Sequence, residues 1–105
     1  MSSCCIRVRA SAAVKGRADQ PFEAGLRASL LSLNQSGPDE LHRAALAANG
    51  LARTYAAVVA RLLADSGLQA SAITAIGAHG QTVRHQPLLH DGTGYTLQLN
   101  NPALL

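Results

Sequence analysis

The chain has 105 residues, of which 48% are hydrophobic, 14% are charged and 3% are aromatic. This composition is typical of one globular domain or of part of a larger one, and it excludes fibrous and low-complexity proteins. The apolar stretches are far shorter than the roughly 18 residues that a helix needs to cross a bilayer. We therefore expect no membrane-spanning segment and no membrane partner.

The net charge of +3 comes from a basic segment at the N-terminus. The first 17 residues contain no acidic residue and four basic ones, Arg7, Arg9, Lys15 and Arg17. We interpret residues 1–19 as a basic leader and expect it to be disordered. Because these charges are not interleaved with aromatic residues, they do not predict a nucleic-acid partner. Cys4 and Cys5 are adjacent and cannot form an ordinary disulfide with each other, which is typical of a reduced, cytoplasmic protein.

Two helices are predicted in the first two thirds of the chain. Leucines at helical spacing predict a short helix over residues 23–33, which the Asn34–Pro38 segment ends. One long helix is predicted over Asp39–Ser66. Its start is indicated by Pro38 and by acidic residues in the first turn, and its end by Gly67 after the last apolar residue.

The long helix carries an apolar stripe with alternating spacings of four and three residues: Leu41, Ala45, Ala48, Ala52, Tyr55, Val59 and Leu62. Such a stripe must be buried. Its small alanines favour close packing on the helix's own domain, and we expect this arrangement. The alternative is a noncatalytic interaction module whose long helix packs on a partner protein.

After Gly67 the hydrophobic period changes to that of strands. Two short strands are predicted, over residues 73–77 and 95–99, with a polar loop between them. Asn100, Asn101 and Pro102 then predict the start of another helix, inside whose apolar run the chain stops. We therefore expect the sequence to be a fragment.

The residues best suited to bind a ligand follow the first of these strands. His79, Gly80, Gln81 and Thr82 lie at its carboxyl end, where open sheets place ligand-binding groups. Gly80 allows a close backbone approach, and its neighbours supply an imidazole, an amide and a hydroxyl group. This set suits a polyhydroxylated ligand, although turns without a ligand also contain such residues.

The sequence assigns no catalytic, cofactor-binding or metal-binding residue. The spacing of His79, His85 and His90 matches no standard zinc pattern, and Asp91 is the one carboxylate close to them in sequence. The phosphate-binding, serine-nucleophile and dinucleotide-binding glycine motifs are also absent from the sequence.

Two segments, Ala75–His85 and Gly94–Leu105, resemble the anhydro-N-acetylmuramic acid kinase family, and the resemblance extends back to about residue 20. It implies an α/β fold: a partial ribonuclease-H-like lobe of an actin-like ATPase fold, with a long helix followed by two short strands. Residues 20–105 would then be part of the first lobe, truncated at both ends, and residues 1–19 would be unmatched.

The resemblance also implies a function. The family uses ATP and magnesium to phosphorylate 1,6-anhydro-N-acetylmuramic acid and open its anhydro ring, giving N-acetylmuramic acid 6-phosphate in peptidoglycan recycling. The sugar would be bound by His79, Gly80, Gln81 and Thr82, and the complete enzyme could be a homodimer. The family's Ser-Gly-Thr phosphate turn and its Asp-Phe-Arg segment, which supplies the base, have no counterpart here. We therefore expect the chain alone to be inactive and to bind ATP poorly; a nonfunctional gene remnant is a further alternative.

Overall fold

The computed structural model describes residues 3–10 and 13–105. These residues form five strands and two α-helices: β1 (Ser3–Ala10), β2 (Ala13–Pro21), α1 (Ala24–Ser32), α2 (Glu40–Ser66), β3 (Ala75–Ala78), β4 (Gln81–Pro87) and β5 (Gly94–Leu99). A single 3-10 turn, Ala70–Ala72, precedes β3. The mixed α/β composition with one long helix confirms the predicted fold class at this level. No helix in the described part of the chain combines the length and hydropathy of a membrane span.

The strands form two separate antiparallel sheets. The first has three strands in the order β2-β1-β3, in which Ile6 lies opposite Ala78 and Val8 opposite Ile76. The second is the β4–β5 hairpin, whose register shifts between Thr82 and Arg84. Both strands predicted from the sequence are present, as β3 and β5, but β4 occupies much of the segment predicted to be a polar loop.

The N-terminal segment forms strands where a disordered leader is expected from the sequence. In β1, Ile6 and Val8 are completely buried, whereas Arg7 and Arg9 are exposed. This alternation places the apolar side chains on the core face and the charges in solvent, as in a half-buried strand. Arg7 lies opposite Arg17 of β2, and both are exposed, so these basic charges belong to a folded sheet.

Both predicted helices are present, and their ends follow from local chemistry. The Glu23 carboxylate accepts hydrogen bonds from the backbone N–H groups of Gly25 (2.8 Å) and Leu26 (3.2 Å), which caps α1. Asp39 precedes α2 with a positive φ of 52°, so this helix begins at Glu40, one residue later than predicted. Gly67 ends α2 in the left-handed conformation, as predicted.

The buried face of α2 only partly matches the predicted stripe. Ala48, Ala52, Tyr55 and Leu62 are buried, and Val59 is half-buried, so the helix does pack on its own domain. Leu41 is 88% exposed and Ala45 is also exposed, so the prediction is wrong at this end. Leu41, in the first turn of α2, lines an open cleft with Leu33, Val83 and Leu97 instead of packing in the core. The buried face also includes Ala47, Leu51 and Val58.

The core lies between the two helices and the inner faces of the strands. It joins Ile6 and Val8 of β1, Leu30 and Leu33 from the α1 region, Leu51, Tyr55 and Val58 of α2, and Val83 and Leu99 of the hairpin. Gly50 explains the close contact of the helices, because a Cβ there would lie 3.0 Å from a methyl carbon of Leu26. The Gly50 position that weakens the isolated helix thus allows α1 to approach α2.

Candidate functional site

The four predicted ligand-binding residues lie at the junction of the two sheets. His79 and Gly80 connect β3 of the first sheet to β4 of the hairpin, and Gln81 and Thr82 begin β4. We call these four residues the polar turn. The prediction that these residues form a loop after β3 is confirmed for His79 and Gly80, whereas Gln81 and Thr82 are strand residues.

Gly80 is required by the path of the backbone. It has a φ of 73°, and a Cβ at this position would lie 2.6 Å from the carbonyl oxygen of Leu99. The left-handed conformation is unfavourable for a residue with a side chain, and the clash would be with backbone rather than with a flexible group. The polar turn is therefore held directly against the end of β5.

The His79 side chain is exposed, and its tautomer follows from its neighbour. Nδ1 lies 2.6 Å from the carbonyl oxygen of Gly80. Because a carbonyl oxygen can only accept, Nδ1 carries the proton, and in the neutral ring Nε2 is left as an acceptor. His79 thus anchors the turn through Nδ1 and presents Nε2 as an acceptor toward solvent. The sequence alone does not decide between an anchoring role and a ligand-binding role for this residue.

Gln81 and Thr82 differ in their surroundings. Gln81 is 7% exposed and is the buried polar residue of the described chain, and its side-chain amide forms no hydrogen bond with another described residue. Such an amide favours a polar partner. Thr82 is exposed, and its hydroxyl oxygen accepts a hydrogen bond of 3.3 Å from Nε2 of Gln98 on the opposite strand. Gln98 is thus a neighbour of the site that sequence reasoning missed, because only the hairpin register reveals it.

A cleft adjoins one end of the polar turn. It has a volume of about 400 Å³ and is lined by Cys5, Arg7, Gly77, Ala78 and His79. The structure therefore brings His79 together with residues of β1 that were assigned to the leader, whereas Gln81 and Thr82 do not line this cleft. Arg17 donates from Nε to the Cys5 sulfur at 3.2 Å and also pairs with Asp19 at 3.3 Å. These two contacts raise the pKa of Arg17 above its usual range.

Arg84 anchors the hairpin to the helices. Its guanidinium group pairs with the Glu40 carboxylate and donates to the carbonyl oxygen of Leu33 at 3.2 Å. Only 15% of the Arg84 side chain is exposed, so these contacts compensate much of the cost of burying its charge. Arg84, the basic residue closest to the polar turn in sequence, is therefore engaged in holding β4.

His85 and His90 contact other residues of the hairpin. His85 Nδ1 lies 2.7 Å from the hydroxyl oxygen of Thr96, and the His90 ring stacks on Tyr95 with ring centroids 6.1 Å apart. Asp91 Oδ1 accepts from the N–H groups of Thr93 (3.0 Å) and Gly94 (2.8 Å). The bond from Gly94, followed by that from Thr93, lowers the pKa of the Asp91 carboxyl.

The carboxylates of the described residues form no metal-binding cluster of three or more side chains. Four of the six are engaged: Glu23 caps α1, Glu40 pairs with Arg84, Asp19 pairs with Arg17, and Asp91 closes its own loop. The other two, Asp39 and Asp65, are exposed at opposite ends of α2. Among residues 3–10 and 13–105, no three His, Cys, Asp or Glu side chains come together as metal ligands. A magnesium ion bound together with a nucleotide is usually held by one or two carboxylates in addition to the phosphates.

The fold defines a mixed α/β protein whose polar turn carries an imidazole, an amide and a hydroxyl group. Comparison with known sequences is more specific: the chain matches the model of the family described as "Anhydro-N-acetylmuramic acid kinase" over residues 5–105. The chain belongs to this family, which confirms the resemblance seen in its motifs. The match also includes residues 5–19, which were expected to fall outside it.

Curated relatives with that name are similar to the chain over most of its length. The protein of Variovorax paradoxus is 63% identical over 93 residues, which is 89% of this chain and 25% of the relative. The protein of Cupriavidus metallidurans is 55% identical over 96 residues, or 91% of this chain and 25% of the relative. The protein of Bordetella pertussis is 60% identical over 92 residues, which is 88% of this chain and 23% of the relative. The chain thus spans about a quarter of the length of the relatives it matches.

Proposed function

We propose that this chain is part of a kinase that transfers a phosphoryl group from ATP to 1,6-anhydro-N-acetylmuramic acid. The anhydro ring opens in the same reaction, and the product is N-acetylmuramic acid 6-phosphate, an intermediate of peptidoglycan recycling in the cytoplasm. The match to the kinase family over residues 5–105 carries this proposal. The uncharged hydrogen-bonding groups of the polar turn support it.

The chain's part in this reaction is to bind the sugar. Gln81 is 7% exposed, and its amide has donors and an acceptor available for sugar hydroxyl or N-acetyl groups. Thr82 can donate its hydroxyl proton, because its oxygen accepts from Gln98. His79 presents Nε2 as an acceptor once Nδ1 is bound to Gly80.

The finer fold assignment also belongs to the proposal. We take the chain as part of the first, ribonuclease-H-like lobe of an actin-like kinase fold. An antiparallel three-stranded sheet whose inner face packs on a long helix supports this assignment. In such a lobe the polar turn would face the cleft in which substrates bind.

The first experiment measures catalysis by the chain alone. Purified chain is incubated with ATP, magnesium and the anhydro sugar, and N-acetylmuramic acid 6-phosphate is measured by mass spectrometry. We expect no product, because phosphoryl transfer needs charge-neutralising groups at the phosphates and a group that orients the nucleophile. Arg84 and four of the described carboxylates are engaged elsewhere, and the other two, Asp39 and Asp65, lie at opposite ends of α2. The full-length Variovorax relative is the positive control, and turnover by the chain within a few-fold of it would refute this expectation.

A second experiment tests the sugar site itself. Gln81→Ala should weaken binding of the anhydro sugar by about 1–3 kcal/mol, because it removes a hydrogen-bonding group from a buried position. Binding is measured by NMR titration of the ¹⁵N-labelled chain, and unchanged amide shifts far from residue 81 verify the fold. Gln35→Ala, an exposed glutamine between the helices, is the matched control. Equal affinities of the two variants would remove Gln81 from the site.

A further inference from the structure

One side chain outside the polar turn lies against it. A Cβ at Gly80 would be 3.6 Å from the Cβ of Asn100, the residue that follows β5. Asn100 is half-buried, so its side chain leaves the backbone at the edge of the site rather than in open solvent.

The orientation of the Asn100 amide is fixed by its neighbour in sequence. Its Oδ1 accepts a hydrogen bond of 2.8 Å from the backbone N–H of Asn101. Because an N–H group cannot donate to an amide nitrogen, this bond distinguishes the two ends of the side chain. The Nδ2 group is left with two donor protons and forms no hydrogen bond with another described residue.

The backbone that carries Asn100 is anchored to the long helix. Asn101 donates from Nδ2 to Oδ1 of Asn49 on α2 at 2.9 Å, and its own Oδ1 accepts from the N–H of Leu104 at 3.3 Å. The side chain of Asn101 is thus used at both ends. These contacts hold the segment after β5 in place, and they orient the free Nδ2 of Asn100 before a ligand arrives.

We infer that Asn100 is a further sugar-binding residue, which donates a hydrogen bond from Nδ2 to an oxygen atom of the bound anhydro amino sugar. This inference rests on the proposed function, since it names an additional contact in the same site. An amide donor suits this ligand, whose hydroxyl, N-acetyl and carboxylate groups all carry acceptor oxygens. A preoriented donor loses little conformational entropy when it binds.

The test follows the Asn100 side chain directly. The ¹⁵N-labelled full chain is titrated with 1,6-anhydro-N-acetylmuramic acid, and the side-chain amide signals are recorded together with the backbone signals of the polar turn. Asn100 is assigned from the spectrum of Asn100→Ala. We expect its Nδ2 protons to shift with the same Kd as the Gln81 backbone amide, and Asn100→Ala to raise the Kd about 3- to 10-fold. Asn34→Ala, an exposed asparagine after α1, should leave the Kd unchanged.

The outcomes separate the inference from the function on which it rests. If the Gln81 amide shifts and the Asn100 side chain does not, the sugar site stands and the role of Asn100 is refuted. If neither responds to the sugar in the wild-type chain, the proposed sugar site is refuted and the role of Asn100 with it. The wild-type side-chain signal decides the matter even if Asn100→Ala disturbs the fold.

Discussion

Replacing Gly80 with alanine should destabilise the chain more than the same change at another glycine with a similar backbone. Gly80 has a φ of 73°, and Gly67, at the end of α2, has a φ of 70°. A Cβ at Gly80 would meet the Leu99 carbonyl oxygen at 2.6 Å, whereas a Cβ at Gly67 would have no heavy atom within 4 Å. The two variants therefore share the conformational cost and differ in the clash.

The two contributions can be given magnitudes. The left-handed conformation costs an alanine roughly 1–2 kcal/mol at either site. Relieving a clash with backbone requires the end of β5 to move, which costs about 1–3 kcal/mol more, as in an overpacked core. We thus expect Gly67→Ala to lower the free energy of unfolding by about 1–2 kcal/mol and Gly80→Ala by about 2–5 kcal/mol.

Urea denaturation followed by far-UV circular dichroism measures both values in the same conditions. A second readout is local: in Gly80→Ala the backbone amide shifts of Leu99 and Asn100 should change, and in Gly67→Ala they should not. Equal destabilisation by the two variants would refute the reasoning, because it would show that the polar turn does not press against β5.

Two further predictions concern the core and the hairpin loop. Leu51→Ala should lower the free energy of unfolding by about 2–5 kcal/mol, and Leu41→Ala by less than about 0.5 kcal/mol, because of these two residues only Leu51 is buried. Urea denaturation of the two variants measures this difference. Equal effects of the two substitutions would contradict the prediction. The pKa of Asp91 should lie below that of an aspartate in an unstructured peptide, since two backbone N–H groups bind its ionised form. The stability that Asp91 contributes is then fully present above the ordinary aspartate pKa and is lost as the pH falls through the lower folded value. An NMR titration of its carboxyl carbon measures this pKa, and a midpoint at or above the ordinary value would contradict the prediction.

The elements with strong local signals were predictable from the sequence. Gly67 ends the long helix in sequence and in structure, because it acts through backbone conformation and needs no tertiary partner. Pro38 was predicted at the first helical position but lies before the N-cap residue Asp39. The strand β1 was missed although Ile6 and Val8 alternate with arginines, since the charge of the segment suggested a leader. In β4, only Gln81 and Val83 are buried, so its sequence has no alternating apolar pattern that predicts a strand. Pairing with β5 determines its structure instead.

The candidate site shows the same division. His79 and Gly80 were identified because they follow a strand predicted to be buried, which is a local signal. The strand is present as β3, but most of its residues are exposed, so the prediction of its burial is wrong. Gln98 and Asn100 reach the site only through the hairpin register and the close approach at Gly80, both of which join residues far apart in sequence. Sequence reasoning about neighbours along the chain does not find such contacts.

The pairing of β1 with β3 has a consequence for synthesis of the protein. Ile6 lies opposite Ala78, so about seventy residues must be added before β1 finds its second neighbour. At roughly 5–20 residues per second, β1 leaves the ribosome roughly 4–14 s ahead of β3, with one edge unpaired. Charged side chains on an exposed strand edge oppose association with other chains. We therefore expect Arg7 and Arg9 to oppose association between nascent chains during this interval, an effect of the basic N-terminal charge that is independent of any ligand.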